Sequence, residues 1–312
     1  MMVAAQLRYL ATLRVLLDGK ADVNQQDKSG LSALAWAAFA IRTDDSGAQS
    51  PKDAVNVLLA AGADVNAKDK HGRSILMNSA HAGDADVVRA LLAYGADVNA
   101  QNRYPGFETS PMIAAWEPPG TATALMIAAG DGRTDIVSIL LEHGADPTPK
   151  DSFGVTALSI AALRGHAAVV ETILARAGKT NPVDLGGIDA LVNAASAGNL
   201  AAVEALLAKG IDVAALSRSG DSALGRAAVK GRVEIILALV AKGANPSAGN
   251  RMGITPLMFA VLEGQTEAAR ALLSAGADPN MVNPGGGTAL SMAVARGHPE
   301  IEQLLRKAGA VK

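Results

Sequence analysis

The sequence predicts an all-α-dominated solenoid, and three observations carry that expectation. A unit of about 33 residues recurs along nearly the whole chain, with consecutive copies at Asp184–Leu216, Ser217–Gly249 and Asn250–Val282. Each copy holds two short apolar helical segments separated by a glycine and closes on a Gly-Ala-Asp-like turn. Hydrophobic residues make up 49% of the chain but aromatics only 3%, so the core is built from Ala, Leu and Val between closely spaced helices. Self-similarity at a fixed period of this length marks stacked units, each contacting only its neighbours. Such an array presents a surface rather than a pocket.

About nine copies fill one domain over 1–312: residues 1–26, 27–68, 69–101, 102–150, 151–183, 184–216, 217–249, 250–282 and 283–312. A short polar stretch with glycine opens each copy after the first. The residue expected to start the first helix is Ser32, Ser74, Thr123, Thr156, Asp189, Ser222, Thr255 or Thr288. All are N-cap types, whose side-chain oxygen accepts a hydrogen bond from an orphan backbone N–H. Gly83, Gly132, Gly165, Gly198, Gly231, Gly264 and Gly297 then separate the two helices, where a left-handed backbone ends the first.

The second helices end in aliphatic pairs: Leu16-Leu17, Leu58-Leu59, Leu91-Leu92, Leu140-Leu141, Ile173-Leu174, Leu206-Leu207, Leu239-Val240 and Leu272-Leu273. Two adjacent side chains on a short helix cannot both face its own partner, so one packs on the next copy. A lone unit cannot offset ~1.5 kcal/mol of ordering entropy per residue, so folding requires the stack.

These residues resemble the ankyrin repeat family. Gly62-Ala-Asp-Val-Asn66 and Gly95-Ala-Asp-Val-Asn99 match its inter-repeat turn, and Gly253-Ile-Thr-Pro-Leu257 matches its hairpin-to-helix start. The resemblance implies ankyrin-type helix-turn-helix repeats with β-hairpin fingers, stacked into a curved body whose concave side carries the fingers and first helices. One departure is consistent. The histidine usual after Thr-Pro-Leu is replaced by Ala35, Met77, Met126, Ser159, Val192, Gly225, Met258 and Ser291, so the family's histidine hydrogen bonds between repeats are not expected here.

Two copies are longer than the rest. The second carries a polar, turn-rich insertion near Arg42–Lys52, which reads as a solvated loop. The fourth carries an extended finger, Arg103–Gly120, that holds Tyr104, Phe107 and Trp116. Long loops in compact folds are functional or disordered; this one reads either as folded back on its neighbours or as a partner-binding extension. The first copy lacks a hairpin and begins partway through a first helix, with Val3, Leu7, Tyr9, Leu10 and Leu13 close together. Either its outer face packs on something outside this sequence or the truncated helix serves as a cap. In the last copy Arg306 replaces the second aliphatic, as suits a terminal unit.

No catalytic, cofactor or metal site is expected. The chain has no cysteine, and its five histidines show no metal-ligand spacing with carboxylates. His166 and His298 follow the inter-helix glycine, a structural position in the family. Asp22, Asp64, Asp97, Asp146 and Asp278 lie in the repeat turn and are expected to bond local backbone. Pro284-Gly-Gly-Gly287 lacks the Lys-Ser/Thr of a phosphate loop. A formal charge of −2 gives no nucleic-acid or membrane signal, and no apolar run reaches the ~18 residues of a bilayer span. The start of the chain reads as a helix rather than a signal peptide.

Candidate partner-binding residues lie at the middle and end of the first helices and on the fingers. Trp36 and Phe39, with Tyr104, Phe107, Trp116 and Phe153, form an aromatic zone; Arg164, Arg226, Lys230 and Arg296, with Arg218 and Arg251, form a basic zone that Glu263 and Asp221 partly oppose. Aromatics and Arg are the side chains that most often anchor interfaces. The expected function is a non-catalytic scaffold, monomeric, that binds a protein or peptide with apolar and acidic residues. The alternatives are a regulatory module of an enzyme or transporter on another chain, or a secreted effector that captures a host protein. A cytoplasmic location is expected, with a secreted or periplasmic one left open if a signal has been removed. The Ala-rich, Cys-free composition points to a bacterial source.

Overall fold

A computed structural model describes residues 1–39, 50–102, 121–176 and 180–311. The long fourth-copy finger and most of the second-copy insertion lie outside these residues. Two compact units form, Met1–Ala157 and Leu158–Lys312, and every described residue in regular structure is helical apart from a few isolated bridges.

The N-terminal unit alternates first and second helices: α1 Met2–Gln6, α2 Leu10–Asp18, α3 Ala33–Phe39, α4 Pro51–Ala60, α5 Ile75–Ala82, α6 Ala85–Ala93, α7 Ala124–Gly130 and α8 Thr134–Glu142. First helices pack in sequence, α1 on α3, α3 on α5 and α5 on α7, while α2, α4, α6 and α8 form a second row behind them. The C-terminal unit repeats this with α9 Ala157–Leu163, α10 Ala167–Arg176, α11 Gly187–Ala197, α12 Leu200–Ala208, α13 Ala223–Val229, α14 Val233–Ala241, α15 Pro256–Leu262, α16 Thr266–Ser274, α17 Ala289–Arg296 and α18 Pro299–Lys307. There α11, α13, α15 and α17 make one row, and α10, α12, α14, α16 and α18 the other.

Alanine explains the close spacing. In α3, Ala33, Ala35, Ala37 and Ala38 are all buried beside Leu34, so helices meet through methyl groups. Behind them Leu58, Leu91, Leu140, Ile173, Leu206, Leu239 and Leu272 are each 0% exposed. These are the first members of the aliphatic pairs. Most second members, among them Leu92, Leu141, Leu207 and Leu273, are only half-buried.

Most expected caps form. The side chains of Ser32, Ser74, Thr123, Ser222, Thr255 and Thr288 each accept the backbone N–H three residues on. Asp189 does not open its helix. α11 starts two residues earlier, behind the left-handed Gly186, because the last residues of this copy's finger, Gly187 to Asp189, join the helix. That extension closes tightly around Gly187, where a Cβ would lie 2.6 Å from the Pro182 carbonyl oxygen. Elsewhere the fingers are slighter than β-hairpins. Four show one antiparallel bridge each: Gln26–Ser32, Lys68–Ser74, Leu216–Ser222 and Val282–Thr288. An Asx residue organises most of the described fingers instead, with Ser217 in its place in one; Asp69 Oδ1, for example, accepts the N–H groups of His71 and Arg73 at 2.8 and 3.0 Å.

The repeat turns are joined by an asparagine ladder that spacing alone did not reveal. Asn24, Asn66 and Asn99 each accept the backbone N–H of the next turn's aspartate, Asp64, Asp97 and Asp146, at 2.8 Å. Each also donates to a glycine carbonyl of that turn. In the C-terminal unit Ser247 and Asn280 continue the pattern to Asp278 and Val311. Ala214 occupies the same position and can make neither bond. Ala214→Asn should therefore raise the stability of this unit by about 1 kcal/mol, by accepting from Asn245 N–H and donating to the Gly243 carbonyl. A urea titration monitored by circular dichroism checks this, and an unchanged midpoint would refute it.

At the N-terminal end Leu13 is buried, but Val3, Leu7, Tyr9 and Val15 are exposed. Arg8 stands where later copies have the inter-helix glycine and adopts its left-handed backbone at φ 57°. At the other end Arg306 lies along α18 and donates to Glu302 Oε1 at 2.8 and 3.0 Å. No helix among the described residues is long and apolar enough to cross a membrane.

Candidate interaction surface

Counting from the residue that opens each first helix gives a common register. Four residues on stand Trp36, Asn78 and Ile127 in the N-terminal unit, and Ile160, Asn193, Arg226, Phe259 and Met292 in the C-terminal unit, with Asn78, Ile127 and Ile160 buried. Eight residues on, at the helix ends, stand Ala82 and Asp131 in the first, and Arg164, Ala197, Lys230, Glu263 and Arg296 in the second. The intervening positions that face the stack are the repeated Ala and Leu. Thus positions two, five and six, which face the stack, are mostly Leu or Ala, while positions four and eight range from Trp and Phe to Arg, Lys, Asp and Glu.

In the N-terminal unit Trp36 is half-buried and donates its indole N–H to Asp27 Oδ2 at 2.9 Å. Asp27 Oδ1 accepts Ser29 and Leu31 N–H at 2.7 and 3.0 Å. The Leu31 bond is the main reason its carboxyl is held below the usual range; the Ser29 and Trp36 bonds and the Lys70 charge add to this, against the effect of burial. Trp36 is therefore fixed to the base of its finger. Phe39 at the end of α3 is 40% exposed, and Phe153 on the last finger of the unit 51%. The register also places Val3, 68% exposed, with Trp36, and Leu7 with the helix-end row. Sequence reasoning had assigned those two to the outer end, and counting back from Arg8 would have found them. Tyr104, Phe107 and Trp116 lie outside the described residues.

His81 and Asp131 join neighbouring copies in the same unit. His81 Nδ1 lies 2.7 Å from Asp131 Oδ2, both partly buried at the ends of their first helices. An acidic group at a helix C-terminus faces the negative end of the dipole, and His81 gives this one a partner.

In the C-terminal unit the predicted cations divide. Arg218 is committed to structure: its Nε donates to Asp189 Oδ2 at 2.7 Å and its backbone N–H to Oδ1 at 3.2 Å. The aspartate that failed as an N-cap thus anchors the following finger. Arg251 lies with its stem against Gly220, where a Cβ would meet it at 2.8 Å, and donates Nη1 to the Arg218 carbonyl at 3.4 Å. Arg226 is half-buried on α13, while Lys230, at its end, and Arg296, at the end of α17, are exposed. Arg164 is exposed after α9. Phe259, which the sequence reading passed over, is half-buried between Arg226 and Met292 in the same register, over Gly225.

The inter-helix positions act as stacking devices. Arg232 and Gln265 cross to the preceding copy and donate to the Ser196 and Val229 carbonyls at 3.4 and 3.5 Å. His298 lies over Gly264, consistent with a structural role. The turn aspartates bond local backbone as expected; Asp64 and Asp97 accept the N–H groups of Asn66 and Asn99 at 2.9 Å. Among the described residues no group of three or more His, Asp or Glu is arranged to hold a metal ion.

A family model described as ankyrin repeats in three copies matches residues 1–102, 46–118, 108–184, 173–250 and 243–312, and so the whole chain. The chain belongs to the ankyrin repeat family. No curated protein matches it significantly. Ankyrin repeats are protein-interaction modules, and on this ankyrin array the helix-end residues Phe39, Arg164, Lys230, Glu263 and Arg296 are exposed.

Proposed function

We propose that this ankyrin array is a non-catalytic scaffold that binds a protein partner through its first-helix and finger face, with the long fourth-copy finger as an extension. One observation carries this reading. Positions four and eight of the first helices range from Trp36 and Phe259 to Arg226, Lys230, Glu263 and Arg296, while position two is Leu in every copy from the second to the ninth. Differing residues on a regular frame give a surface specific to one partner. Exposed aromatic and cationic groups occupy that face, and these are the common anchors of interfaces. The aromatic content of residues 103–120 supports including that finger.

Pull-down with the intact chain, read by mass spectrometry, tests the proposal when each partner is compared across variants. Trp36→Ala with Phe39→Ala should raise the off-rate by the equivalent of ~2 kcal/mol, as for truncated interface anchors. Arg226→Glu with Lys230→Glu should slow association and weaken its salt dependence. Removal of 103–119 should weaken binding further. A partner that ignores all three changes would rule out this face.

A further inference from the structure

Three charged side chains of the C-terminal unit stand in one row. Lys230, Glu263 and Arg296 share the eighth register position on the consecutively packed first helices α13, α15 and α17. All three are exposed, and among the described residues none of the three side chains has a hydrogen-bond or ion-pair partner.

Lys230 and Arg296 suit the negative ends of their helices, but Glu263 does not. It caps the C-terminus of α15, where a carboxylate is repelled by the helix dipole. In the N-terminal unit Asp131 stands in the same register and is matched by His81 at 2.7 Å. Glu263 has no such match, so the row leaves an uncompensated charge where the helix disfavours it. The charged or titratable groups beside the row include Arg226 on α13, Asp221, whose Oδ2 accepts the Ser219 hydroxyl, the Arg218–Asp189 pair with Arg251 on the fingers, and His298, whose ring lies over Gly264. Among the described residues none of these is hydrogen-bonded or ion-paired to Glu263.

An extended segment that complements the row must match its spacing. Packed helices lie ~8–10 Å apart. In a β-strand, residues three apart point to opposite faces. A polyproline II segment has three residues per turn and a rise of ~3.1 Å, so residues three apart share a side at ~9 Å intervals. We propose that this row recognises a polyproline II segment of the partner with the pattern acidic-x-x-basic-x-x-acidic. Its acidic residues pair with Lys230 and Arg296, and its basic residue with Glu263. The segment needs no strand partner, so it lies across helices without unmet backbone pairing. This inference rests on the scaffold reading and adds the partner's register.

Fluorescently labelled peptides test it against the intact chain by anisotropy at about 0.01 M salt, where the screening length is ~30 Å. Glu-Pro-Pro-Lys-Pro-Pro-Glu should bind about tenfold more tightly than Lys-Pro-Pro-Glu-Pro-Pro-Lys, as three exposed pairs change sign. It should also exceed Pro-Pro-Glu-Lys-Glu-Pro-Pro, which has the same composition and net charge but the wrong spacing. The combined Lys230→Glu, Glu263→Lys and Arg296→Glu exchange should invert the first preference. Should that exchange disturb folding, Glu263→Gln serves alone. It should raise the thermal midpoint of the free chain and abolish the preference for Lys over Gln at the central peptide position. Equal binding of spaced and clustered peptides, absent binding of all of them, or an exchange variant that keeps the original preference would overturn the register. A pulled-down partner that still binds the exchange variant would overturn the register while the scaffold reading stands.

Discussion

Leu206→Ala should lower the stability of the C-terminal unit by about 2–5 kcal/mol, while Leu207→Ala next to it should lower it by only ~1 kcal/mol. Leu206 is 0% exposed on α12, which packs on α10, α11 and α14. Truncation there removes contacts with neighbours on both sides and leaves a cavity that short, interlocked helices cannot close. Leu207 is half-buried, so part of its side chain already meets solvent. Stacked units are coupled mainly to their neighbours, and a void at α12 weakens two interfaces at once. Urea unfolding monitored at the helical circular-dichroism band measures both variants. Equal losses would show that the two members of the pair are not divided between core and edge.

Gly30→Ala should cost about 2 kcal/mol or more and loosen the first finger, whereas Gly62→Ala should cost only ~1 kcal/mol. Both glycines are left-handed, at φ 77° and 86°. A Cβ on Gly62 would meet nothing within 4 Å, but on Gly30 it would lie 2.7 Å from Lys70 N and 3.1 Å from two backbone carbons of Asp69. Backbone cannot swing aside as a side chain does. The clash falls where the two fingers join through Lys70 N–H and the Ser29 carbonyl at 3.1 Å. Asp27 holds Ser29, Leu31 and Trp36 together, so a shift of the finger reaches the indole. Trp36 emission in a Trp116→Phe background reports it. Similar stability losses for the two alanines would mean that the finger contact carries no strain.

Much of the fold was legible because its signals are local and repeated. Ser74 or Thr255 announces a helix start by side-chain chemistry, and Gly83 announces a stop by its freedom at positive φ; neither depends on distant residues. Asp189 shows the limit. It has the right chemistry and register for an N-cap, but Gly186 and Gly187 extend the helix past it, and the carboxylate turns to Arg218 of the next finger. The hairpins were overestimated for a similar reason. Turn-rich residues set the reversal, but Asx side chains, not strand pairing, satisfy most of the backbone there.

The candidate surface was legible in outline only. Trp36, Phe39, Lys230 and Arg296 were found as residue types that bind, at positions counted from the caps. Phe259 was missed because a Phe on a short apolar helix looks like core until Gly225 is seen beneath it.

The sequence by itself determined the period, the helix starts and stops, the alanine-rich packing and the absence of thiol chemistry, because each follows from residue type and spacing along the chain. Only the tertiary structure decided which charges are already neutralised. Among the described residues Arg218, Asp131 and Arg306 find partners, while Lys230, Glu263 and Arg296 do not. For Arg218 and Asp131 the partner lies in a different copy of the repeat, at a distance that sequence separation does not encode. Charge compensation acts through space, and the fold alone sets which side chains come within ~4 Å of one another.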